Sequence, residues 1–120
     1  MENTINVLGT EYRIETHKIS EDKTLRDNQW GGYCDEDIKL IVVADMSEKE
    51  FVDIETEEGQ RQYANKTLRH EIFHAFLNES GLASDSYNFD GPWARNEEMV
   101  DWFAIQAPKI FAVYQQLGIL

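Results

Sequence analysis

Residues 68–82 read Leu-Arg-His-Glu-Ile-Phe-His-Ala-Phe-Leu-Asn-Glu-Ser-Gly-Leu, a pattern that predicts an amphipathic helix. Its apolar side chains share one side of the helical wheel: Leu68, Ile72, Ala75 and Phe76. Gly81 stands in the position of a C-cap, so we expect the helix to run from about residue 60 to residue 79. The apolar side would be buried, and the opposite side would face a cleft.

The same helix carries the motif His-Glu-x-x-His at residues 70–74. Each residue of a helix advances by about 100°, so His70 and His74 lie about 40° apart on one face. Two imidazole nitrogens in this arrangement can hold one Zn²⁺. Glu71 would project beside the metal, where a general base for a zinc-bound water is needed. The alternative is an exposed helical face with two incidental histidines.

A third protein ligand is predicted at the start of the last helix, because zinc sites that bind water take three ligands from the protein. Glu97 and Asp101 are four residues apart and share a face. Glu97 can complete the site, and Asp101 can accept the other ring N–H of a histidine ligand. Glu98 is the rival ligand, but it points about 100° away from Glu97. Both glutamates also stabilise a helix N-terminus, which is their alternative role.

The sequence predicts a single α+β domain over residues 1–120, with strands and loops mostly at 3–55 and helices mostly at 57–117. Three stretches have the pattern of strands: Thr4–Leu8, residues 12–17 and Ile38–Ala44. The apolar run of the third predicts a central strand.

Other segments are less regular. Residues 21–28 and 80–95 have the composition of loops, and residues 45–58 fit either a helix or a strand. The last helix is expected from about residue 96 to residue 117, and Pro108 should kink or divide it.

Composition limits the classes of partner. The chain has 23 acidic and 11 basic residues and a net charge of −12. Such a surface repels nucleic acid and anionic membranes, and the longest apolar run, Leu40–Ala44, is too short for a membrane span. A single cysteine, Cys34, and the lack of a signal sequence after Met1 predict a soluble cytoplasmic protein. The expected partner is a peptide or protein substrate, or a regulatory protein; the oligomeric state stays open.

Three further side chains have a structural interpretation. Cys34 is interpreted as a small, partly buried hydrophobe rather than a fourth metal ligand. His17 is expected to be solvated on its strand, and Trp102 is expected to pack in the core or in a lid.

His70-Glu71-Ile72-Phe73-His74, followed by Asn96-Glu97 and Asp101, resembles the gluzincin pattern of the zincin metallopeptidases, HExxH and then NExxxD. The segments Leu68–Leu82 and Glu97–Ala104 are similar to small ImmA/IrrE-like proteins of phages and prophages, as is Gly32–Asp35 before a strand. The resemblance covers roughly residues 30–110. It implies a mini-zincin core, in which a small N-terminal sheet packs on the HExxH helix and on a C-terminal glutamate-bearing helix.

The resemblance also implies the roles of the site residues. His70, His74 and Glu97 would bind Zn²⁺, Glu71 would be the general base, and Asp101 would hold a histidine ligand. The implied function is peptide-bond hydrolysis by a metal-activated water, in a zinc-dependent metallopeptidase-like protein encoded by a phage or prophage and acting on a regulatory protein.

One part of the zincin pattern has no counterpart, because no position matches the side chain that stabilises the oxyanion. The chemically able residues are Tyr33, Tyr87, Arg95 and His17. The alternative function is therefore a zinc-containing acidic binding or regulatory protein without turnover, in which the metal holds the fold together. A nuclease is a weaker interpretation, since nucleases prefer carboxylate-rich Mg²⁺ sites.

Overall fold

Four strands form one mixed sheet in the computed structural model, which describes residues 3–82 and 93–120. The strands are β1 (Asn3–Val7), β2 (Thr10–His17), β3 (Gly32–Asp35) and β4 (Leu40–Ala44), in the spatial order β1-β2-β4-β3. β1 pairs with β2 and β3 pairs with β4 in antiparallel register, whereas β2 and β4 run parallel. The prediction of a central strand is confirmed, since β4 lies between two neighbours and all five of its residues are buried.

Three α-helices accompany the sheet within the described residues: α1 (Lys23–Asn28), α2 (Glu57–Ser80) and α3 (Glu97–Gln116). The chain is therefore α+β, as predicted. Of residues 45–58, which the sequence left ambiguous, 45–56 form neither a helix nor a strand, and Glu57 and Glu58 begin α2. α2 begins a few residues before the predicted start, because Thr56 caps it by accepting a hydrogen bond from the Gly59 N–H.

The prediction of a loop at residues 21–28 is wrong, since this segment contains α1. The Asp22 side chain accepts a hydrogen bond from the Leu25 N–H at 3.1 Å and so caps the helix. Leu25 is fully buried. A cap followed by a single buried apolar residue is too short a pattern to show helical periodicity, which is why this helix was not predicted.

Pro108 does not divide α3, which runs without interruption from Glu97 to Gln116. A proline has no N–H to donate to the carbonyl oxygen four residues earlier, here that of Ala104. Arg69 of α2 supplies the missing donor, with its Nε 2.7 Å from the Ala104 oxygen. A side chain from the neighbouring helix therefore replaces the backbone hydrogen bond that proline removes.

Gly32 sets how closely α2 approaches the sheet. A Cβ atom at this position would lie 2.7 Å from the Val42 oxygen and 2.8 Å from Cγ2 of Thr67, so a larger residue does not fit without movement. The buried residues of α2 include Thr67, Glu71 and Ala75, which follow each other at intervals of four. The predicted burial of Phe76 is wrong, since Phe76 is exposed. The helical face that carries the buried residues is rotated away from it.

Gly81 ends α2 in the left-handed conformation with φ 87°, as predicted. The rest of the predicted loop at 80–95 lies mostly outside the described residues, and its last part, Trp93–Arg95, forms a 3₁₀ turn. Trp102 is exposed, so its predicted packing is wrong. Across the described ranges, no helix has both the length and the apolar character that crossing a membrane requires.

Candidate metal centre

Two successive turns of α2 bring the imidazole nitrogens of the motif together. Nε2 of His70 lies 3.1 Å from Nε2 of His74, and the two rings meet at a centroid distance of 4.8 Å. Both side chains are largely shielded from solvent. The two nitrogens therefore converge on one point, which the spacing of four residues on a helix favours.

Glu97 reaches the same point from the first turn of α3. Its Oε1 lies 2.6 Å from Nε2 of His74, and its Oε2 lies 3.5 Å from Nε2 of His70. Asn96 fixes this turn, because its side chain accepts a hydrogen bond from the Met99 N–H at 2.8 Å. Glu97 is thus the glutamate that the structure brings to the histidines.

Asp101 holds the other side of the first histidine. Its Oδ1 lies 3.0 Å from Nδ1 of His70 and 3.7 Å from Nζ of Lys66. An ionised carboxylate can only accept a hydrogen bond, so we assign the ring proton of His70 to Nδ1. The lone pair on Nε2 of His70 is then directed toward Glu97 and His74. Lys66 is a residue that the sequence analysis missed. Its position four residues before His70 places it on the same helical face, and this signal could have identified it.

Glu71 is the buried acid of the site, with only 6% of its surface exposed. Its carboxylate belongs to a group with His70 and His74 in which the possible ligand atoms all lie within 4.8 Å of one another. Burial raises the pKa of Glu71 to about 8, and the negative charges of Glu97 and Asp101 act in the same direction. Without a cation, this carboxyl group is therefore mostly protonated at neutral pH.

The pKa of His74 is shifted in the direction that metal binding needs. Burial lowers it, and the nearby His70 adds to the effect, although Glu97 opposes it. The neutral imidazole is the form that binds metal ions, so His74 is kept ready to act as a ligand.

These residues line an open cleft of about 730 Å³. One wall is formed by residues 29–34, which include the start of β3. α2 and the start of α3 form most of the rest, together with Glu36 and Arg95. Two of the residues considered for oxyanion stabilisation line this cleft, namely Tyr33 and Arg95. Tyr33 donates its hydroxyl to Asp22 at 2.8 Å, and Arg95 pairs with Glu36 at 3.0 Å. Tyr87 lies outside the described residues.

His17 lies apart from this cleft, and its expected solvation is wrong. Its Nδ1 is 2.6 Å from Oδ2 of Asp22, and its Nε2 is 2.8 Å from Oε1 of Glu15. Cys34 lines the cleft but is half-buried and packs against the apolar cluster around Tyr12 and Ile41. Burial raises the pKa of its thiol to about 12, which favours the interpretation as a small hydrophobe.

Comparisons with family models, with curated proteins and with solved structures find no match to this chain. The case for a metal centre therefore consists of the motif and of the geometry of His70, His74, Glu97, Glu71 and Asp101.

Proposed function

We propose that this chain is a zinc-dependent, peptidase-like hydrolase with a mini-zincin core built from the sheet, α2 and α3. The observation that supports the proposal is the convergence of three ligand groups from two helices. Nε2 of His70, Nε2 of His74 and the Glu97 carboxylate are separated by 2.6 to 3.5 Å. If the two histidines were incidental residues on an exposed helical face, nothing would require a carboxylate from the second helix to meet them at the same point.

The donor set favours Zn²⁺ over Mg²⁺ and Ca²⁺. Two imidazole nitrogens and one carboxylate are typical of catalytic zinc sites, whereas Mg²⁺ and Ca²⁺ prefer oxygen ligands. Ligand atoms that lie about 2.0–2.1 Å from a tetrahedral zinc ion are about 3.3 Å from each other. The separation of 3.1 Å between the histidine nitrogens is close to that value.

The residues around the ligands have complementary tasks. A bound Zn²⁺ would supply Lewis-acid polarisation of a peptide carbonyl group and would make water more acidic. Glu71 would accept the proton of the attacking water and return it to the leaving amine. Asp101 fixes the orientation of His70. Arg95 lines the cleft and pairs with Glu36 through one nitrogen, so its other N–H groups can donate to a developing negative charge. The Tyr33 hydroxyl is already donated to Asp22.

The motif resemblance to small phage and prophage proteins supports a regulatory protein as the physiological substrate. The single cysteine supports a reducing compartment such as the cytoplasm as the site of action. The second candidate function is an acidic, zinc-containing binding protein without turnover. The net charge of −12 favours this candidate, because such a surface binds basic partners without any chemistry.

The metal is tested by elemental analysis of the purified chain and by competition with a coloured chelator. We expect about one Zn²⁺ per chain. Glu97→Ala should weaken zinc binding by about 10- to 100-fold or more, whereas the matched control Glu98→Ala should change it little. The two variants lose the same charge from the same helical turn. A chain that takes up no zinc, or equal losses in the two variants, would contradict this ligand set.

Hydrolysis is tested with a proteome-derived peptide library. Glu71→Gln keeps the shape of the side chain and removes the base, so it should retain zinc and lose about 10²- to 10⁴-fold in cleavage rate. Wild-type protein that holds zinc and cleaves no peptide would favour the binding protein. Cleavage that survives in Glu71→Gln would remove this residue from the proposed role.

A further inference from the structure

The cleft of the metal centre adjoins a second cavity of about 500 Å³. The two spaces share part of their lining: Gln29, Trp30, Gly31 and Tyr63. Because these residues line both spaces, the two cavities lie next to each other along α2, from the histidines toward the N-terminal half of the helix. We refer to the two cavities together as the groove.

The second cavity has an apolar floor and an aromatic rim. Ile19, Leu25 and Met46 line it and are buried in the core. Trp30, Phe51 and Tyr63 also line it, yet these rings remain 50%, 40% and 39% exposed. An apolar floor surrounded by solvent-exposed aromatic rings is typical of a pocket that receives a large apolar group.

The charged residues that line this cavity are mostly acidic. Glu50 and Asp53 carry negative charge, and Arg26 is the basic residue among the described lining. Arg26 also lies 3.4 Å from Asp27 and donates to the Ser20 oxygen at 3.0 Å, so its charge is already engaged. A basic group beside the apolar group would therefore complement the rim.

The groove also has a defined length. Tyr63 precedes His70 by seven residues on α2, which corresponds to about 10 Å along the helix axis. An extended peptide advances by about 3.3 Å per residue, so about three residues span this distance.

We propose that the second cavity is a specificity pocket, which selects peptides with a Phe or Leu side chain about three residues from the reacting bond, next to a Lys or Arg. This inference rests on the proposed function, because it takes the metal centre as the reacting end of the groove. The pocket then supplies recognition, and the metal centre supplies chemistry.

Binding is measured separately from cleavage, with zinc-loaded Glu71→Gln protein and fluorescently labelled peptides of about eight residues. The peptides share one Lys-containing sequence and differ only in carrying Phe, Leu, Ala or Asp at one position. We expect the Phe and Leu peptides to bind at least about tenfold more tightly than the Ala and Asp peptides, since burial of a large apolar side chain favours binding. Equal binding of all four peptides would overturn the proposal.

Two tryptophan variants locate the effect. Trp30→Ala should reduce the preference for Phe to less than about threefold, whereas Trp102→Ala is the matched control and should leave it unchanged. Trp102 is also exposed but does not line the groove. If Trp30→Ala melts at a lower temperature than the parent protein, Phe51→Ser tests the same rim from another segment. An equal effect of the control, or no effect of either rim variant, would contradict the assignment.

Cleavage of a random peptide library by the wild-type protein separates this inference from the proposed function. Enrichment of large apolar residues at one position, about three residues from the cut, is the expected result. Cleavage without such enrichment would overturn the pocket but not the hydrolase. An absence of cleavage, with the binding preference intact, would overturn the hydrolase and leave the pocket as a peptide-binding site.

Discussion

Asp22 shows how one carboxylate can organise several elements. It caps α1, accepts the Tyr33 hydroxyl from β3 at 2.8 Å and lies 2.6 Å from Nδ1 of His17 in β2. Burial by itself would raise the pKa of Asp22, but the donors outweigh it and the pKa is lowered. Burial would likewise lower the pKa of His17, but the hydrogen bonds to Asp22 and Glu15 outweigh it and the pKa is raised.

These shifts predict the pH dependence of this network. The His17 contribution is complete below its unfolded pKa of about 6.5 and is lost as the pH rises through its higher folded pKa. The Asp22 contribution is present above about pH 3.9 and is lost as the pH falls through its lower folded pKa. The network should therefore stabilise the fold most between about pH 4 and pH 6.5.

His17→Gln tests this expectation through urea unfolding of metal-free protein. The variant should be less stable than the wild type by about 1 kcal/mol near pH 5.5, because it loses a partly exposed ion pair. The difference should shrink as the pH rises through the raised folded pKa of His17, because the imidazole then loses its charge in the folded chain as well. Measuring the difference between the two proteins at each pH cancels the titration of the metal-centre residues. A difference that grows with pH would contradict the assigned ion pair.

The residues of the metal centre were more predictable than His17, for a physical reason. The pairs His70–His74 and Glu97–Asp101 each lie four residues apart on a helix, so local geometry alone places them on a common face. The contact of His17 with Asp22 instead depends on α1, which the sequence analysis interpreted as a loop. Local spacing cannot bring Glu97 to the histidines, because they lie on different helices; this placement was predicted from the zinc ligand count and from the motif resemblance.

Arg69 and Pro108 form a pair of sequence features that only the packing of two helices explains. Arg69 donates to the Ala104 oxygen, which the proline leaves without its usual backbone partner. We expect Arg69→Ala to cost about 1.5–3 kcal/mol of unfolding free energy, since a charged donor is removed from a partly buried acceptor. In a Pro108→Ala background the residue-108 N–H can satisfy the same oxygen, so the cost of Arg69→Ala should be smaller.

A double-mutant cycle by chemical denaturation measures this coupling. Arg61→Ala is a matched control, because Arg61 lies on the same helix but pairs with the exposed Glu58. Its cost should be within about 0.5 kcal/mol and independent of residue 108. An equal cost of Arg69→Ala in both backgrounds would show that the proline and the arginine are unrelated.

The elements differ in how far the sequence determined them. The central position of β4 followed from its apolar run, and the end of α2 followed from Gly81. The face of α2 that packs against the sheet was less predictable. Phe76 is exposed, whereas Glu71 and Thr67 are buried. The close approach of α2 to Gly32 decides this orientation, and the approach is possible because β3 is the edge strand next to α2. The apolar periodicity of a helix does not indicate which strand the helix will contact.

Across the whole molecule, the proposed metal opposes a concentration of negative charge. Glu97 and Asp101 of α3 face the same cleft, beside the buried Glu71 of α2, in a chain with a net charge of −12. A ligand that binds only the native state stabilises it by about 2.7 kcal/mol at a hundredfold excess over its dissociation constant. Removal of zinc should therefore lower the melting temperature by several degrees, and Asp101→Ala should lower that of the zinc-loaded protein by less.

Salt gives a second measurement of the same charge balance. Without the cation, the carboxylates of Glu97 and Asp101 repel one another and the surrounding acidic surface. At about 0.5 M salt the Debye length is below about 5 Å. We expect added NaCl to raise the melting temperature of the chelator-treated protein more than that of the zinc-loaded protein. The reason is that only the chelator-treated protein has negative charge in the site without a bound cation. Glu98→Gln is the control for general surface charge, because it removes one exposed acid outside the metal centre. It should shift both forms equally. Melting temperatures that are unchanged by verified zinc removal, at low and at high salt, would show that the fold does not depend on the metal centre.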